Sequence, residues 1–77
     1  MLEPMTDVVE KAARAVAAME FFDYRYSPEG DRLWAREWKW YVDRRGKDSK
    51  ADCSIQANCE RIARAVIQAI TQYQRDQ

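Results

Sequence analysis

Apolar residues in the first third of the chain recur every three or four positions, which is the period of a helix with one apolar face. The stripe consists of Met5, Val8, Ala12, Ala15, Met19 and Phe22, and it is widened by Val9 and Val16. Thr6 is a suitable N-cap, so the pattern predicts a helix over residues 7–22. We expect this stripe to be the packing face of the helix, with its alanines allowing a close approach to whatever packs there.

A second stripe of the same kind predicts a helix over residues 50–74. It consists of Ile55, Cys59, Ile62, Val66, Ala69 and Tyr73, and it is broadened by Ile67 and Ile70. Ser49 can cap this helix, with Asp52 three residues later as a short form of the capping box. The segment 60–66 also resembles the segment 10–16, as alanine-rich amphipathic helices often do; the alternative is a pair of helices related by pseudo-symmetry. In both cases we expect the two helices to pack on one another.

The middle of the chain holds eight of the nine aromatic residues, between Phe21 and Tyr41. As a helix, this region would be capped by Ser27, have Pro28 in its first turn and end at Gly46. One face of that helix would carry Leu33, Trp34, Trp38, Tyr41 and Val42.

The same aromatic residues also fit a β-hairpin around a turn at residues 27–31, because alternate positions on both sides of the turn are apolar. We favour the helix, since the Ser-Pro-Glu start and the Arg, Glu, Lys and Ala content suit it. The predicted fold is therefore all-α, a small three-helix bundle or helical hairpin in a single domain, residues 1–77. The alternative is an α+β fold with an aromatic hairpin between two long helices.

Composition argues against catalysis. The chain has no His, which excludes a Ser-His-Asp triad, a Cys-His dyad and a His-containing zinc site, and its two glycines cannot form a glycine-rich phosphate loop. Cys53 and Cys59 are six residues apart, so within one helix their thiols point about 120° apart and cannot form a disulfide. We expect no enzymatic activity, no cofactor and no metal.

Charge is unevenly distributed although the chain as a whole is neutral. Residues 1–23 carry two basic and five acidic side chains, whereas residues 24–50 carry eight basic and five acidic ones. The basic middle interleaves cations with aromatic residues, a combination that dominates protein–protein hot spots and also stacks on unpaired bases. The candidate partner-binding residues are Trp34, Arg36, Trp40, Tyr41, Arg44, Arg45 and Lys47. Among the tryptophans we expect Trp34 and Trp38 chiefly in the core and Trp40 to be the most exposed.

Four short motifs resemble a recurrent type of phage and prophage protein from proteobacteria. They are Ala13-Arg14-Ala15-Val16, Leu33-Trp34, Trp40-Tyr41 and the segment from Ala63 to Ile70. Those proteins carry an alanine-arginine-alanine helix, a tryptophan-tyrosine region and a second such helix, and most have no assigned function. The stretch 43–59 departs from their pattern. The resemblance implies a short phage protein that acts by binding a host protein, as anti-CRISPR inhibitors of bacterial defence do.

These observations give one leading hypothesis and two alternatives. The leading hypothesis is a small phage-type interaction protein that binds and inhibits a host protein, such as a bacterial defence complex. The alternatives are a nucleic-acid-binding accessory protein that uses the Trp/Arg-rich segment, and a self-assembling module that forms a homodimer. The apolar runs are too short for a membrane span and no secretion signal is evident, so we expect a cytoplasmic protein, in the host cell if it is phage-encoded.

Overall fold

The structure, a computed structural model, describes the backbone of residues 3–77 and the side chains of residues 7–77. The described chain contains four helices: α1 (Glu3–Glu20), α2 (Pro28–Arg44), α3 (Ser49–Asp52) and α4 (Ile55–Arg75). A short 3-10 helix (Phe22–Tyr24) precedes α2, and no strand occurs in this part of the chain. The all-α prediction is therefore confirmed, and the alternative of an aromatic β-hairpin is wrong. No helix among the described residues is long and apolar enough to cross a membrane.

The start of α2 follows its sequence signals. Ser27 is in an extended conformation, and its hydroxyl accepts a hydrogen bond from the backbone N–H of Gly30 at 3.0 Å. Pro28 occupies the first helical position, where its missing N–H costs nothing. The helix ends before Gly46, which has a φ of +79°, a left-handed conformation that glycine adopts without steric cost. The capping signals therefore agree with the helical state of a segment whose apolar period was ambiguous.

The predicted boundaries of the other two helices need correction. Helix α1 begins at Glu3, so Thr6 lies inside the helix instead of capping it. The single helix predicted over residues 50–74 is divided at Cys53, which has a non-helical φ of −107° and ψ of 10°. Asp48, and not Ser49, caps α3 by accepting from Lys50 N, and Ser54 starts a new helix by accepting from Ala57 N. Ser and Asp side chains compete with the helix for backbone donors, and here that competition breaks the helix.

Helices α1 and α4 lie side by side and run antiparallel. Although they are not consecutive in the chain, we call this pair the α1/α4 hairpin. Helix α2 packs on one side of it. The antiparallel direction of α1 and α4 follows from two places of contact: Val9 lines a groove with Ile67 and Thr71, and Glu20 lies close enough to Cys59 to influence its thiol. Small residues meet where the two helices approach, since Ala13, Ala17 and Ala63 are almost completely buried. The predicted packing of the first and last helices on one another is confirmed.

Aromatic side chains fill the space between this hairpin and α2. Trp34 and Trp38 stack with their ring centroids 5.3 Å apart, and Tyr24 meets Trp34 edge-on at 5.6 Å. Tyr41 continues the row at 5.4 Å from Trp38. The predicted aromatic face of α2 therefore forms much of the core, except that Val42, at its edge, is exposed.

The faces by which α1 and α4 pack differ from the predicted ones. In α1, the buried residues are Val9, Ala13, Arg14 and Ala17, whereas Val8 and Met19 of the predicted stripe are exposed; the side chain of Met5 lies outside the described residues. In α4, the buried residues are Gln56, Ala57, Cys59, Glu60 and Ala63. Of the predicted stripe on that helix, Cys59 alone is buried. Both helices are thus rotated so that an apolar stripe remains in solvent.

Candidate interaction surface

The outward side of α2 presents a tryptophan between two arginines. Arg36, Trp40 and Arg44 are spaced by four residues, so they lie one above another on the helix, and we call them the basic-aromatic stripe. The Arg44 guanidinium lies over the Trp40 ring, 5.5 Å from its centroid. Trp40 is half-buried: part of it rests on the core, and part lines a shallow hollow of about 280 Å³ together with Arg36 and Glu37.

The positive charge of this stripe is not neutralised by neighbouring acids. Among the ion pairs of the described residues, Lys39 is joined to Asp43 at 3.1 Å and Arg45 to Glu60 at 2.9 Å. None of those pairs includes Arg36, Arg44 or Lys47, which are all exposed. The stripe therefore combines a flat apolar ring with guanidinium groups that are free to bind carboxylates or phosphates.

The structure separates the seven candidate residues into three groups. Trp34 is 4% exposed and Tyr41 is 5% exposed, so both belong to the core and present almost no surface to a partner. Arg45 turns toward Glu60 and lies over the Tyr41 ring. The remaining four, Arg36, Trp40, Arg44 and Lys47, stay accessible at the C-terminal part of α2 and just beyond it.

Beneath this surface lies a buried carboxylate that joins α2 to α4. Glu60 accepts hydrogen bonds from the Tyr41 hydroxyl, from Arg45 at 2.9 Å and from Arg64 at 2.9 and 3.1 Å. Burial alone would raise the pKa of Glu60, but the hydrogen bonds from Tyr41 and Arg64 and the two guanidinium charges outweigh burial and lower it. This carboxylate therefore accepts hydrogen bonds from three side chains and links α2 to α4.

Two more buried polar groups hold the 3-10 turn against the helices. The Tyr24 hydroxyl donates to Glu37 at 2.5 Å and accepts from Gln56 at 2.9 Å. The Arg14 guanidinium donates to the backbone carbonyls of Tyr24 and Arg25 and pairs with Asp31 at 2.8 Å. Sequence periodicity missed these residues, since it treats polar positions as solvent-facing, and nothing in the spacing marked them as buried.

A second hollow lies between α1 and the start of α2. Its volume is about 360 Å³, and its lining mixes acidic, basic and aromatic residues: Asp7, Glu10, Lys11, Arg14, Tyr26, Asp31 and Trp34. The buried Nε1 of Trp34 has no hydrogen-bond partner among the described residues. Within that same part of the chain, no group of three or more acidic or cysteine side chains is placed to hold a metal ion.

Comparison of the chain with family models, with curated proteins and with solved structures finds no match. The resemblance to short phage proteins therefore stays a prediction, and function has to be argued from the surface itself.

Proposed function

We propose that this protein acts by binding another protein, and that the basic-aromatic stripe docks on an acidic surface of that partner. The observation that carries the proposal is Trp40 between Arg36 and Arg44, neither of which forms an ion pair among the described residues. Tryptophan and arginine are the residues most enriched at interface hot spots, because they combine large rigid area with directional hydrogen bonds. Carboxylates of a partner would satisfy the guanidinium groups while its apolar atoms cover the indole.

In its specific form, the proposal is a phage-type inhibitor that occupies a host protein in the cytoplasm, as anti-CRISPR proteins do. Two features support this form: the lack of His for common catalytic groupings, and the resemblance of its helical motifs to phage proteins. Such a protein would inhibit by covering a surface that its target needs.

An acidic protein surface is favoured over nucleic acid by the arrangement of charge. The chain is neutral overall, whereas dedicated nucleic-acid-binding domains are strongly basic. Asp43 neutralises Lys39 on the same helix, so the stripe offers two guanidinium groups, which are few for a surface that tracks a phosphate backbone.

Quantitative affinity capture from host lysate tests the proposal. The double variant Trp40→Ala, Arg44→Ala removes the ring and one guanidinium, and we expect it to lose the partner by at least about 30-fold, which is about 2 kcal/mol at a hot spot. Lys39→Ala is the matched control, since it removes a cation from the same helix that is already paired with Asp43. Circular dichroism and the melting temperature establish that both variants fold. Equal recovery of the partner by the double variant and the wild type would refute this docking surface.

Fluorescence anisotropy with a labelled single-stranded oligonucleotide tests the competing hypothesis that the stripe binds nucleic acid. Phosphate contacts are strongest at low salt. If the wild type binds the oligonucleotide at low salt with a steep salt dependence, and the double variant does not bind it, the stripe binds nucleic acid instead of a protein. Absence of binding at low salt, together with selective capture of one protein, supports the proposal.

A further inference from the structure

The side of the α1/α4 hairpin that faces away from α2 carries an uncovered apolar face. It consists of Val8, Met19, Ile55, Ile62, Val66, Ile70 and Tyr73, all exposed in the single chain. Contacts to α2 and the 3-10 turn come from another side of each helix: Arg14 on α1, and Gln56 and Glu60 on α4. Successive residues of a helix are rotated by about 100°, so Met19 on α1 and Val66 on α4 point in a different direction from those polar contacts. The two stripes therefore border the same open side of the hairpin.

We propose that this apolar face is the interface between two copies of the protein. The size of the face is the first argument. Met19 is 84% exposed and Tyr73 is 67% exposed, and the other five residues are between 37% and 52% exposed. Together these side chains leave roughly 700 Å² in solvent, close to the ~800 Å² that each partner buries in a stable interface of standard size. Monomers rarely expose so large a contiguous apolar patch.

The arrangement of the face is the second argument for a second copy. A two-fold interface places the same patch of both copies together. The face runs along two antiparallel helices that pack on one another, so the two helices of a second copy can pack on it in the same way.

The dimer that these two arguments predict is a four-helix layer in which the apolar faces of the two copies meet, with both copies of α2 on its outer sides.

The dimer would leave the basic-aromatic stripe uncovered, because α2 lies on the opposite side of the hairpin. Self-association and partner binding are therefore separable, and the failure of either proposal would not decide the other.

Sedimentation velocity at micromolar concentrations tests the dimer. We expect the wild type to sediment as a dimer, and Val66→Glu, which buries a charge at the centre of the interface, to weaken association at least ten-fold. Gln68→Glu is the matched control, because it adds the same charge on the opposite side of α4 beside Arg64, and it should remain dimeric.

A second variant keeps the test valid if the first one misfolds. Tyr73→Glu changes a side chain that is already mostly in solvent, so it should keep its helical circular dichroism and still dissociate. The melting temperature of the wild type should rise with protein concentration, and those of both dissociating variants should not. A wild type that is a monomer at these concentrations, or folded variants at positions 66 and 73 that remain dimeric, would overturn the proposal.

Discussion

The hydroxyl of Tyr41 donates a hydrogen bond to Glu60, and this contact ties the last turns of α2 to the beginning of α4. Glu60 is the most heavily engaged carboxylate among the described residues, because Arg45 and Arg64 bind its other oxygen. Arg45 of this cluster directly follows Arg44, the last residue of the basic-aromatic stripe, in the chain. We therefore expect the position of α2, and with it the presentation of the stripe, to depend on this buried charge.

Removing the charge of Glu60 should destabilise the fold. Glu60→Gln keeps the shape of the side chain but leaves Arg45 and Arg64 without their anion, and we expect the free energy of unfolding to fall by about 2 kcal/mol. The value is lower than for a fully buried pair, because both guanidinium groups are partly exposed to screening water. Asp43→Asn, which breaks an exposed pair with Lys39, should cost at most about 0.5 kcal/mol. Urea denaturation measures both, and equal losses would contradict a special role for Glu60.

Glu60 should also contribute to the dependence of stability on pH. Its folded-state pKa is lowered, so its contribution is fully present above the pKa of glutamate in the unfolded chain and is lost as pH falls through the folded-state pKa. We expect the stability of the wild type to fall more steeply under acid than that of Glu60→Gln, which has no carboxyl to protonate. Urea denaturation series between about pH 7 and about pH 3 compare the two slopes. Parallel curves would show that Glu60 does not contribute to the acid dependence.

Tyr24 should titrate late at alkaline pH. Burial, and then the hydrogen bond to Glu37, raise its pKa from 10.0 to about 12. Its contribution to stability is fully present below the unfolded-state pKa and is lost as pH rises through the folded-state value, since the folded chain disfavours the tyrosinate. Burial and the hydrogen bond to Glu60 also raise the pKa of Tyr41. Ultraviolet absorbance of tyrosinate should therefore show a late step in the wild type that is smaller in Tyr24→Phe. An undiminished late step in the variant would show that Tyr24 does not contribute to it.

Sequence signals predicted local structure well where a side chain bonds to its own backbone. Ser27 and Gly46 marked the limits of α2, and they did so although the aromatic period fitted a strand equally well. The same signals were misassigned around the break in the last helix, where several Ser and Asp residues compete for the same donors. Residue type alone does not distinguish them, because Asp48, Ser49 and Ser54 carry side chains that can all cap a helix.

The packing faces could not be predicted because polar residues help to define them. Hydrophobicity predicts that the most apolar stripes of α1 and α4 are buried. Instead, Arg14, Gln56 and Glu60 bind partners on other elements, so the faces that carry these three polar residues are the buried ones. For the candidate site, composition located the correct segment. Composition could not distinguish buried Trp34 and Tyr41 from accessible Trp40. All three lie on one helix and differ only in the direction in which their side chains point from its axis.

The cap of α4 gives a direct test of the helix break. Ser54→Ala removes the hydroxyl that accepts from Ala57 N at 3.2 Å, and we expect it to lower the free energy of unfolding by about 1 kcal/mol. Ser49→Ala should have an effect below about 0.5 kcal/mol, because Asp48 provides the cap of α3. Thermal unfolding of the two variants distinguishes the assignments. A larger loss for Ser49→Ala would instead support one continuous helix capped at that position.

Gly30 and Gly46 should differ sharply in their tolerance of a side chain. A Cβ at Gly30 would lie 1.9 Å from the backbone oxygen of Arg25, so Gly30→Ala must displace the loop that Arg14 holds in place, and we expect a loss of about 3 kcal/mol or more. A Cβ at Gly46 would meet nothing within 4 Å, and Gly46→Ala should cost about 1 kcal/mol through its left-handed φ alone. Urea denaturation compares the two variants. The displaced loop leads directly into α2, so Gly30→Ala should also lose protection of the α2 amides in hydrogen exchange, whereas Gly46→Ala should keep it. Equal stability of the two variants would show that the loop from Arg25 to Gly30 moves without an energetic cost.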